Sequence, residues 1–306
     1  MNKVDIIGIG FCSVDYMGNV PYIPIDSKVE IRNLSSQGGG PSATAVVTAA
    51  KLGASAGFIG KIGDDNAGKF ILDDFKRRNV DTSGIVLEKG ASSAVTFIWV
   101  EETTGNRSIA WNKGTKSSLK INEISKDYIK HAKIIHLDGH EAEAALGVIR
   151  LVKEHGCKIS LDGGTITPDI GELIKVTDIL IVSEEFAVKF TGYSDPEKYL
   201  KILQKYDPEV LIVTKGKKGF CGSIGGKYIE RDAFKIKAVD TSGAGDVFHG
   251  AFLYAYLKKM DIDKALIFAS GASALKCTRN GIRAVLPTFE EVTKFIEEMS
   301  NKAQIS

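Results

Sequence analysis

The sequence has few cysteines, no long apolar run and almost no net charge. Its four cysteines, Cys12, Cys157, Cys221 and Cys277, show no Cys-x-x-Cys spacing, so we expect free, buried thiols in a reducing compartment. The apolar runs are too short to span a bilayer, and residues 1–9 lack the long apolar centre of a secretion signal. A formal net charge of +2 argues against a basic nucleic-acid surface. We therefore expect a cytoplasmic protein that binds neither membrane nor nucleic acid.

Along its 306 residues the chain alternates between β-branched apolar runs and amphipathic segments. This length suits one large α/β domain, which we expect to span residues 1–306. Strands that alternate with helices predict a largely parallel sheet covered by helices on both faces. Strands are predicted at 4–10, 57–62, 134–137, 158–162, 179–182 and 210–214, and helices at 41–52, 68–78, 141–155, 184–190 and from about Gly245 onwards.

Two stretches, at about 15–36 and 94–112, have strand patterns without accompanying helices. In the second stretch, alternating residues such as Thr96 and Ile98 precede a turn at 103–106 and a return strand. We expect these antiparallel strands to form a small sheet that lies over the main domain as a lid.

Two segments only approximate known ligand-binding motifs. Residues 63–69 resemble a phosphate loop, but Phe70 stands where a magnesium-binding hydroxyl is needed, so this interpretation is rejected. The glycines within 8–10 follow a strand, but Ser13 replaces the third glycine of a dinucleotide fingerprint. A dehydrogenase therefore stays open only as an alternative.

The strongest pattern is the run Asp-Thr-Ser-Gly-Ala-Gly-Asp at 240–246, which leads into apolar residues at helical spacing. The small residues Gly243, Ala244 and Gly245 let backbone N–H groups approach an anion, and the helix start adds a positive partial charge. Asp246 stands at the same helix start, where it can accept the proton of an attacking hydroxyl group. A plain helix cap after a glycine turn would also explain part of this run, but the full length of the run favours a function.

A second glycine segment, at 38–40, precedes the helix that is predicted to start at Pro41. Three glycines permit a ligand close to the backbone, and proline suits a first helical turn. A loop that needs positive φ angles would explain this segment equally well.

With these motifs, the sequence resembles the ribokinase-like (PfkB) family of carbohydrate kinases over nearly its whole length. The run at 240–246 is similar to that family's C-terminal signature, which is long and specific. Further elements occur in family order: Gly38-Gly39, Gly60-Lys-Ile-Gly63-Asp64-Asp65 with Gly68, Thr214-Lys-Gly216 with Gly219, and Thr278-Arg279-Asn280-Gly281. The resemblance implies a Rossmann-like three-layer α/β sandwich with a small β-sheet lid that forms a homodimer contact. It also implies ATP with Mg²⁺ as the phosphoryl donor.

The resemblance assigns roles to individual residues. It implies a catalytic group that comprises the base Asp246 and an anion hole formed by the backbone of Gly243, Ala244 and Gly245. For the sugar it implies Asp15, Gly39 and Gly40. Beside these, we expect Asp138 to orient a hydroxyl and take Lys28, Asn33, Arg107 and Asn112 as candidates on the lid, although Arg107 and Lys28 could equally be solvated surface charges. For the nucleotide it implies Thr214, Gly216, Gly219 and Ser242, with Ala272, Lys276 and Asn280 near the adenine.

Within the family, residues 38–45 and 268–279 are most similar to sulfofructose kinases and ketohexokinase-like members. Asp138, however, stands where a sulfonate-binding arginine is expected. A carboxylate repels a sulfonate and accepts hydrogen bonds from sugar hydroxyls. We therefore expect an uncharged, fructose-like ketose as the substrate and place sulfofructose behind it.

The sequence departs from the family pattern at its metal-linked positions. The family's Asn-x-x-Glu element, linked to magnesium, appears as Ser-Glu-Glu-Phe at 183–186, where Glu184 could substitute or could be a surface carboxylate at a helix start. Asp240 and Gly281 are candidate ligands of a monovalent cation. Val285 occupies the place where potassium-activated relatives supply a hydroxyl ligand, so dependence on K⁺ stays open.

Two other functions remain possible beside the sugar kinase. A nucleoside kinase would need an apolar slot for a base, which Phe97, Trp99 or Trp111 could provide. A non-catalytic sugar-binding protein could keep the same fold, although a pure binder would have no need of Asp246 as a base.

Overall fold

The computed structural model describes residues 3–104 and 107–305 and contains two β-sheets. The strands are β1 (Ile6–Ile9), β2 (Ser13–Val20), β3 (Arg32–Gly39), β4 (Ala56–Gly63), β5 (Val80–Glu88), β6 (Ala94–Glu101), β7 (Arg107–Asn112), β8 (Ile134–Leu137), β9 (Lys158–Gly163), β10 (Ile179–Ser183), β11 (Val210–Thr214), β12 (Phe220–Ile224) and β13 (Lys227–Arg231). The α-helices are α1 (Pro41–Lys51), α2 (Asn66–Arg77), α3 (Lys126–Ile129), α4 (Ala142–Val152), α5 (Ile170–Ile174), α6 (Glu184–Thr191), α7 (Pro196–Leu203), α8 (Ala244–Leu257), α9 (Ile262–Cys277) and α10 (Phe289–Ile305).

The large sheet has nine strands in the order β13-β12-β11-β10-β9-β8-β1-β4-β5. The seven strands β11, β10, β9, β8, β1, β4 and β5 are parallel to one another, whereas β12 and β13 pair antiparallel at one edge. Helices cover both faces, so the predicted α/β fold class is confirmed. Neighbouring residues of β1 separate the two cores: Ile6 packs in the cluster that contains Phe252, and Ile7 packs in the cluster that contains Val148.

The small sheet has four strands in the order β3-β2-β6-β7. The pairs β2–β3 and β6–β7 are antiparallel, as expected, but β2 and β6 are parallel, so the expectation of antiparallel strands throughout was wrong. The reason is that β2 follows β1 and β6 follows β5, and both preceding strands belong to the parallel part of the large sheet. Part of the predicted turn at 103–106 lies outside the described residues.

The segment that resembles a phosphate loop is a strand end followed by a capped helix. The side chain of Asp65 accepts a hydrogen bond from Gly68 N at 2.8 Å and another from Ser93 Oγ at 2.7 Å. Because Asp65 caps α2, this helix begins at Asn66, two residues before the predicted start.

Helices α1 and α8 bring the two glycine segments of the sequence together. They pack so closely that a Cβ atom on Gly250 would lie 2.2 Å from the carbonyl oxygen of Ala45. No helix within 3–104 or 107–305 is both long and apolar enough to cross a membrane.

Candidate active site

Helix α8 starts at a turn that only glycine fits easily. Gly243, the residue before the helix, has a φ of 69°, in the left-handed region that other residues rarely adopt. A Cβ atom there would also lie 2.5 Å from Ile282 Cγ2. The turn therefore places the helix start against the loop that follows α9.

The first amides of α8 are available to a ligand. Among the residues that the structure describes, no acceptor binds the N–H groups of Gly243, Gly245 or Asp246, and no side chain caps this helix. Of the three residues predicted to form the anion hole, Ala244 has an occupied amide, because its N donates to Thr241 O at 3.2 Å. Space is open around Gly245, where a Cβ atom would meet nothing within 4 Å. Unpaired amides beside open space suit an anion.

Asp246 lies in the first turn of α8, where its side chain is half-buried. Burial raises the pKa of Asp246 well above its ordinary value, and the negative charge of Asp162 adds to that effect. Asp15 and Asp138 raise the pKa further, whereas Arg283 opposes them. Since these groups act on one another, the carboxylates form one acidic neighbourhood. A carboxylate with a raised pKa is a better proton acceptor at neutral pH than an ordinary one.

Sequence reasoning did not identify Asp162 and His249 as part of this site. His249 Nε2 lies 3.3 Å from Asp162 Oδ1, and both side chains are buried. Burial opposes ionisation of Asp162, but His249 beside it holds the pKa of this carboxyl below its ordinary value. The signals were present, because Asp162 lies at the carboxyl end of β9 and His249 follows Asp246 by one helical turn.

Asp15 lies on β2 and is buried beside the second glycine segment. It accepts a hydrogen bond from Ser13 Oγ at 2.7 Å, and burial raises its pKa. A Cβ atom on Gly39 would lie 2.1 Å from Asp15 Oδ1, so this position requires glycine if the carboxylate is to stay in place. Gly40, the next residue, is the N-cap of α1. The structure therefore brings Asp15, Gly39 and Gly40 together.

Asp138 follows β8 and joins three segments of backbone. Its Oδ2 accepts from Phe11 N at 3.0 Å and from Ser42 N at 3.3 Å, and its Oδ1 accepts from His140 N at 3.0 Å. Burial raises the pKa of Asp138. These bonds use three of the roughly four lone-pair positions on a carboxylate, so only limited capacity remains for a ligand hydroxyl.

A buried arginine, which sequence reasoning also missed, connects the segments around Gly39 through hydrogen bonds. Arg283 donates to Asp74 Oδ2 at 2.8 Å, to Thr44 Oγ1 at 3.1 Å and to the carbonyl oxygen of Gly39 at 2.8 Å. Gln37 Oε1 accepts from the backbone N of Arg283 at 3.3 Å. The guanidinium therefore ties β3 and α1 to the loop after α9.

A cavity of about 530 Å³ adjoins the start of α8. Its lining contains the predicted nucleotide residues Thr214, Gly216 and Gly219 and the anion-hole residues Ala244 and Gly245. Two lysines, Lys217 and Lys235, supply positive charge, and the apolar part of the lining comprises Phe220, Phe234, Ile236 and Phe248, among others. A volume in this range holds a ligand the size of a nucleotide.

The residues predicted near the adenine lie outside the lining of this cavity, because a different face of α9 lines it. Ser270, Ser273, Ala274 and Cys277 line the cavity at helical spacing. Ala272 and Lys276 point into the protein and are fully buried, and Asn280 is exposed outside the lining. The ammonium group of Lys276 contacts the turn before α8 instead.

Among the four lid candidates, Arg107 reaches the site. Its Nη1 donates to Ser242 Oγ at 3.4 Å, across from β7 to the turn before α8. Lys28 and Asn33 are exposed, and Asn112 Oδ1 accepts from Gly114 N at 2.7 Å, which stabilises a local turn. A second cavity, of about 380 Å³, lies beside Trp111 and Phe11, whose rings are 5.9 Å apart.

The predicted metal positions do not form a preformed cage. Within the described ranges, no group of three or more His, Cys, Asp and Glu side chains converges on one point. Glu184 is half-buried at the start of α6 and does not line the large cavity. Asp240 accepts from Ser242 N at 2.8 Å and from Gly281 N at 3.0 Å, so Asp240 and Gly281 do come together.

Known proteins are similar to this chain both in sequence and in architecture. Residues 1–288 match the model of the pfkB family carbohydrate kinases. The ATP-dependent ribose-1-phosphate kinase of Halopiger xanaduensis is 28% identical, over 96% of this chain and 99% of that protein. The 5-dehydro-2-deoxygluconokinase of Clostridium perfringens is also 28% identical, over 97% of this chain and 94% of its own. The crystal structure of ribokinase from Thermotoga maritima superimposes with a TM-score of 0.84 at 25% identity, over 96% of this chain and 99% of that one.

The resemblance in the motifs, the ribokinase-like fold and the match over residues 1–288 agree with one another. Relatives over nearly the full chain are kinases that act on sugar hydroxyl groups. This chain is therefore a carbohydrate kinase that belongs to the pfkB family.

Proposed function

We propose that this carbohydrate kinase transfers the γ-phosphate of ATP to a hydroxyl group of a small sugar, with Asp246 as the general base. One observation carries the proposal. The unpaired amide of Gly245 belongs to a residue that lines the 530 Å³ cavity, and the next residue, the half-buried Asp246, interacts electrostatically with Asp15 and Asp138. A nucleotide on one side and a polyol on the other would meet at this helix start.

In the reaction, a sugar hydroxyl donates its proton to the Asp246 carboxylate while its oxygen attacks the γ-phosphorus. The bond to the bridging oxygen breaks, and ADP leaves with the electron pair. The amides of Gly243, Gly245 and Asp246 donate to the phosphoryl oxygens, where negative charge is spread in the transition state. Arg107, already in contact with Ser242, brings a positive charge to the same turn.

The large cavity suits ATP in both shape and charge. Lys217 and Lys235 would pair with its phosphates, and the apolar lining around Phe234 would cover the base. Magnesium supplies charge neutralisation when it is bound with the nucleotide. Mg²⁺ prefers phosphate oxygens and water with one or two carboxylates, so the absence of a preformed cage among the described residues fits this mode. Glu184 remains a candidate for a water-mediated contact.

The acidic neighbourhood favours sugar hydroxyls over an anionic group near Asp246. Asp15, whose Oδ1 accepts from Ser13 Oγ, can also accept a hydrogen bond from a sugar hydroxyl, and Asp138 offers limited capacity. The sequence predicted a fructose-like ketose. Relatives at 28% identity are named for ribose 1-phosphate, 5-dehydro-2-deoxygluconate and ribose, so we now place ribose-type and deoxygluconate-type sugars first. 5-Dehydro-2-deoxygluconate is a keto sugar acid and not the uncharged ketose that the sequence predicted, so fructose is kept only as an alternative substrate.

A coupled assay of ADP release tests the proposal. The purified chain is supplied with MgATP and, one at a time, with ribose, ribose 1-phosphate, 5-dehydro-2-deoxygluconate, fructose and adenosine. We expect saturable ADP release with at least one of the first four compounds and a matching phosphorylated sugar by mass spectrometry. If none of the five compounds causes ADP release, the kinase proposal is overturned and a non-catalytic sugar-binding protein is favoured.

A nucleoside is the second candidate substrate, because the 380 Å³ cavity has an aromatic wall. Phe11 and Trp111 lie edge to face there, and Phe11 also lies 5.3 Å from the ring of His140. A nucleobase would stack on such a surface. Turnover with adenosine alone would favour this function.

We also propose that two chains associate through the outer face of the small sheet. Tyr16 and Phe97 stack there with their centroids 5.4 Å apart, and both rings are partly exposed. Light scattering on a Phe97→Ser variant would show a loss of dimer if this face is the contact.

The four cysteines are free and buried, which supports the proposal of a cytoplasmic, reducing environment.

A further inference from the structure

The turn before α8 encloses a buried ammonium group. Lys276 is fully buried, and its Nζ donates to the carbonyl oxygen of Asp240 at 2.9 Å and to the carbonyl oxygen of Ser242. The carboxylate Oδ2 of Asp240 lies 3.9 Å from the same nitrogen. Two backbone oxygens and one carboxylate therefore converge on a single positive charge, which we call the oxygen cage.

Such a set of oxygens has the chemistry of a monovalent cation site. Oxygen ligands of neutral carbonyls with a single carboxylate suit a large ion of charge +1, and an ammonium group is similar in size to K⁺. Lys276 also lies in the last turn of α9, where the helix favours a positive charge. The ammonium group of Lys276 thus occupies the position that a bound monovalent cation would take in the oxygen cage.

We propose that Lys276 is a positioning residue whose ammonium group replaces a monovalent metal ion behind the phosphate-binding turn. This inference rests on the proposed function of that turn. It assigns a role to a residue that the sequence placed beside the adenine, and it predicts that the enzyme needs no K⁺.

The peptide geometry explains how the ammonium acts on the anion hole. In a trans peptide, the C=O group and the following N–H group point in opposite directions, and the described chain contains no cis peptide bond. Because the carbonyl of Ser242 points at Lys276, the N–H of Gly243 points away from it. That amide is one of those without an acceptor in the described structure. Lys276 therefore fixes the direction of a donor that serves the phosphate, and adds a positive charge behind it.

Neighbouring contacts hold the cage and compete with an external ion. The carboxylate of Asp240 accepts from Ser242 N and Gly281 N, and the carbonyl of Cys277 accepts from Asp240 N at 3.2 Å. At Val285, where potassium-activated relatives would supply a ligand, the carbonyl oxygen already accepts from Arg279 Nη1 at 3.2 Å. Burial lowers the pKa of Lys276, and the charge of Asp240 opposes that effect.

The first test uses the unaltered enzyme in the ADP-release assay. Turnover is measured in K⁺, Na⁺ and choline salts at one ionic strength. We expect the same kcat and the same KM values in all three salts. A several-fold activation by K⁺ would overturn the inference while leaving the kinase function intact. Absence of turnover with every sugar would instead count against the proposed function.

The second test removes the ammonium group with a Lys276→Ala substitution. We expect kcat to fall by at least about tenfold in Na⁺, since complete loss of an anion-hole donor costs about 100- to 1,000-fold and misalignment costs part of that. K⁺ or NH₄⁺ should restore most of this loss and should also raise the melting temperature of the variant. The melting temperature gives a readout even if the sugar is unknown.

A matched control is Lys61→Ala, which removes another buried ammonium group. Lys61 on β4 is held by Glu123 at 2.8 Å and by Ser117 at 2.9 Å and has no contact with the turn. We expect this variant to lose stability without any rescue by K⁺ or NH₄⁺. If Lys276→Ala keeps normal turnover, or if neither cation restores its turnover or its melting temperature, Lys276 does not act as a built-in cation.

Discussion

The buried guanidinium of Arg283 allows a quantitative test of what holds the sugar side of the site. Arg283 and Arg77 both pair with Asp74, but Arg283 is 1% exposed at 2.8 Å, whereas Arg77 is 65% exposed at 3.7 Å. Breaking a buried pair costs about 3–5 kcal/mol. Asp74 keeps its contact with Arg78 at 2.9 Å, so its charge is not left unpaired and the lower end of that range applies.

We therefore expect Arg283→Ala to reduce the free energy of unfolding by about 3 kcal/mol and Arg77→Ala by at most about 1 kcal/mol. For a chain of 306 residues, about 3 kcal/mol corresponds to a melting temperature lower by roughly 4–6 °C. Differential scanning fluorimetry of both variants at one pH measures the two shifts. Because Arg283 also holds the carbonyl of Gly39, the KM for the sugar should rise in this variant more than the KM for ATP. Equal melting temperatures for the two variants would refute the reasoning.

Two further predictions concern the acidic neighbourhood. Asp246 must be ionised to accept a proton, and the charge of Asp162 raises its pKa, so kcat/KM falls as the pH drops through that raised value. Asp162→Asn should therefore move the acid limb of the pH profile to lower pH by about half a unit or more, and an unchanged limb would contradict this coupling. Gly39→Ala should displace the Asp15 carboxylate, which lies 2.1 Å from the added Cβ, and raise the KM for the sugar about tenfold at constant KM for ATP. Gly171→Ala, with nothing within 4 Å, is its control, and an equal effect of both would disprove the steric argument.

Local patterns predicted six of the nine strands of the large sheet because these six parallel strands are buried on both faces. The predicted strands at 134–137 and 210–214 coincide with β8 and β11 to the residue. The parallel pairing of β2 with β6 could not be predicted in this way. It joins residues about eighty positions apart, and its direction follows from where β1 and β5 leave the large sheet.

The candidate site was predictable where one motif carries it and not where the fold assembles it. The run at 240–246 led to Asp246, because a glycine turn before a helix has a recognisable sequence. Asp162 and Arg283 come from distant segments and join the site only through the packing of β9 and of the loop after α9. Lys276 lies outside the cavity lining for a related reason, since residues 276 and 277 lie about 100° apart around α9 and, of the two, Cys277 lines the cavity.

The central claim, that Asp246 accepts the proton of the sugar hydroxyl, is tested most directly by the turnover of Asp246→Asn. This change keeps the shape of the side chain and its position at the helix start but removes the basic oxygen. We expect kcat to fall by at least about a hundredfold, the usual scale for a positioned base, while ATP binding by calorimetry stays close to that of the unaltered enzyme. Turnover near the unaltered level would contradict the account.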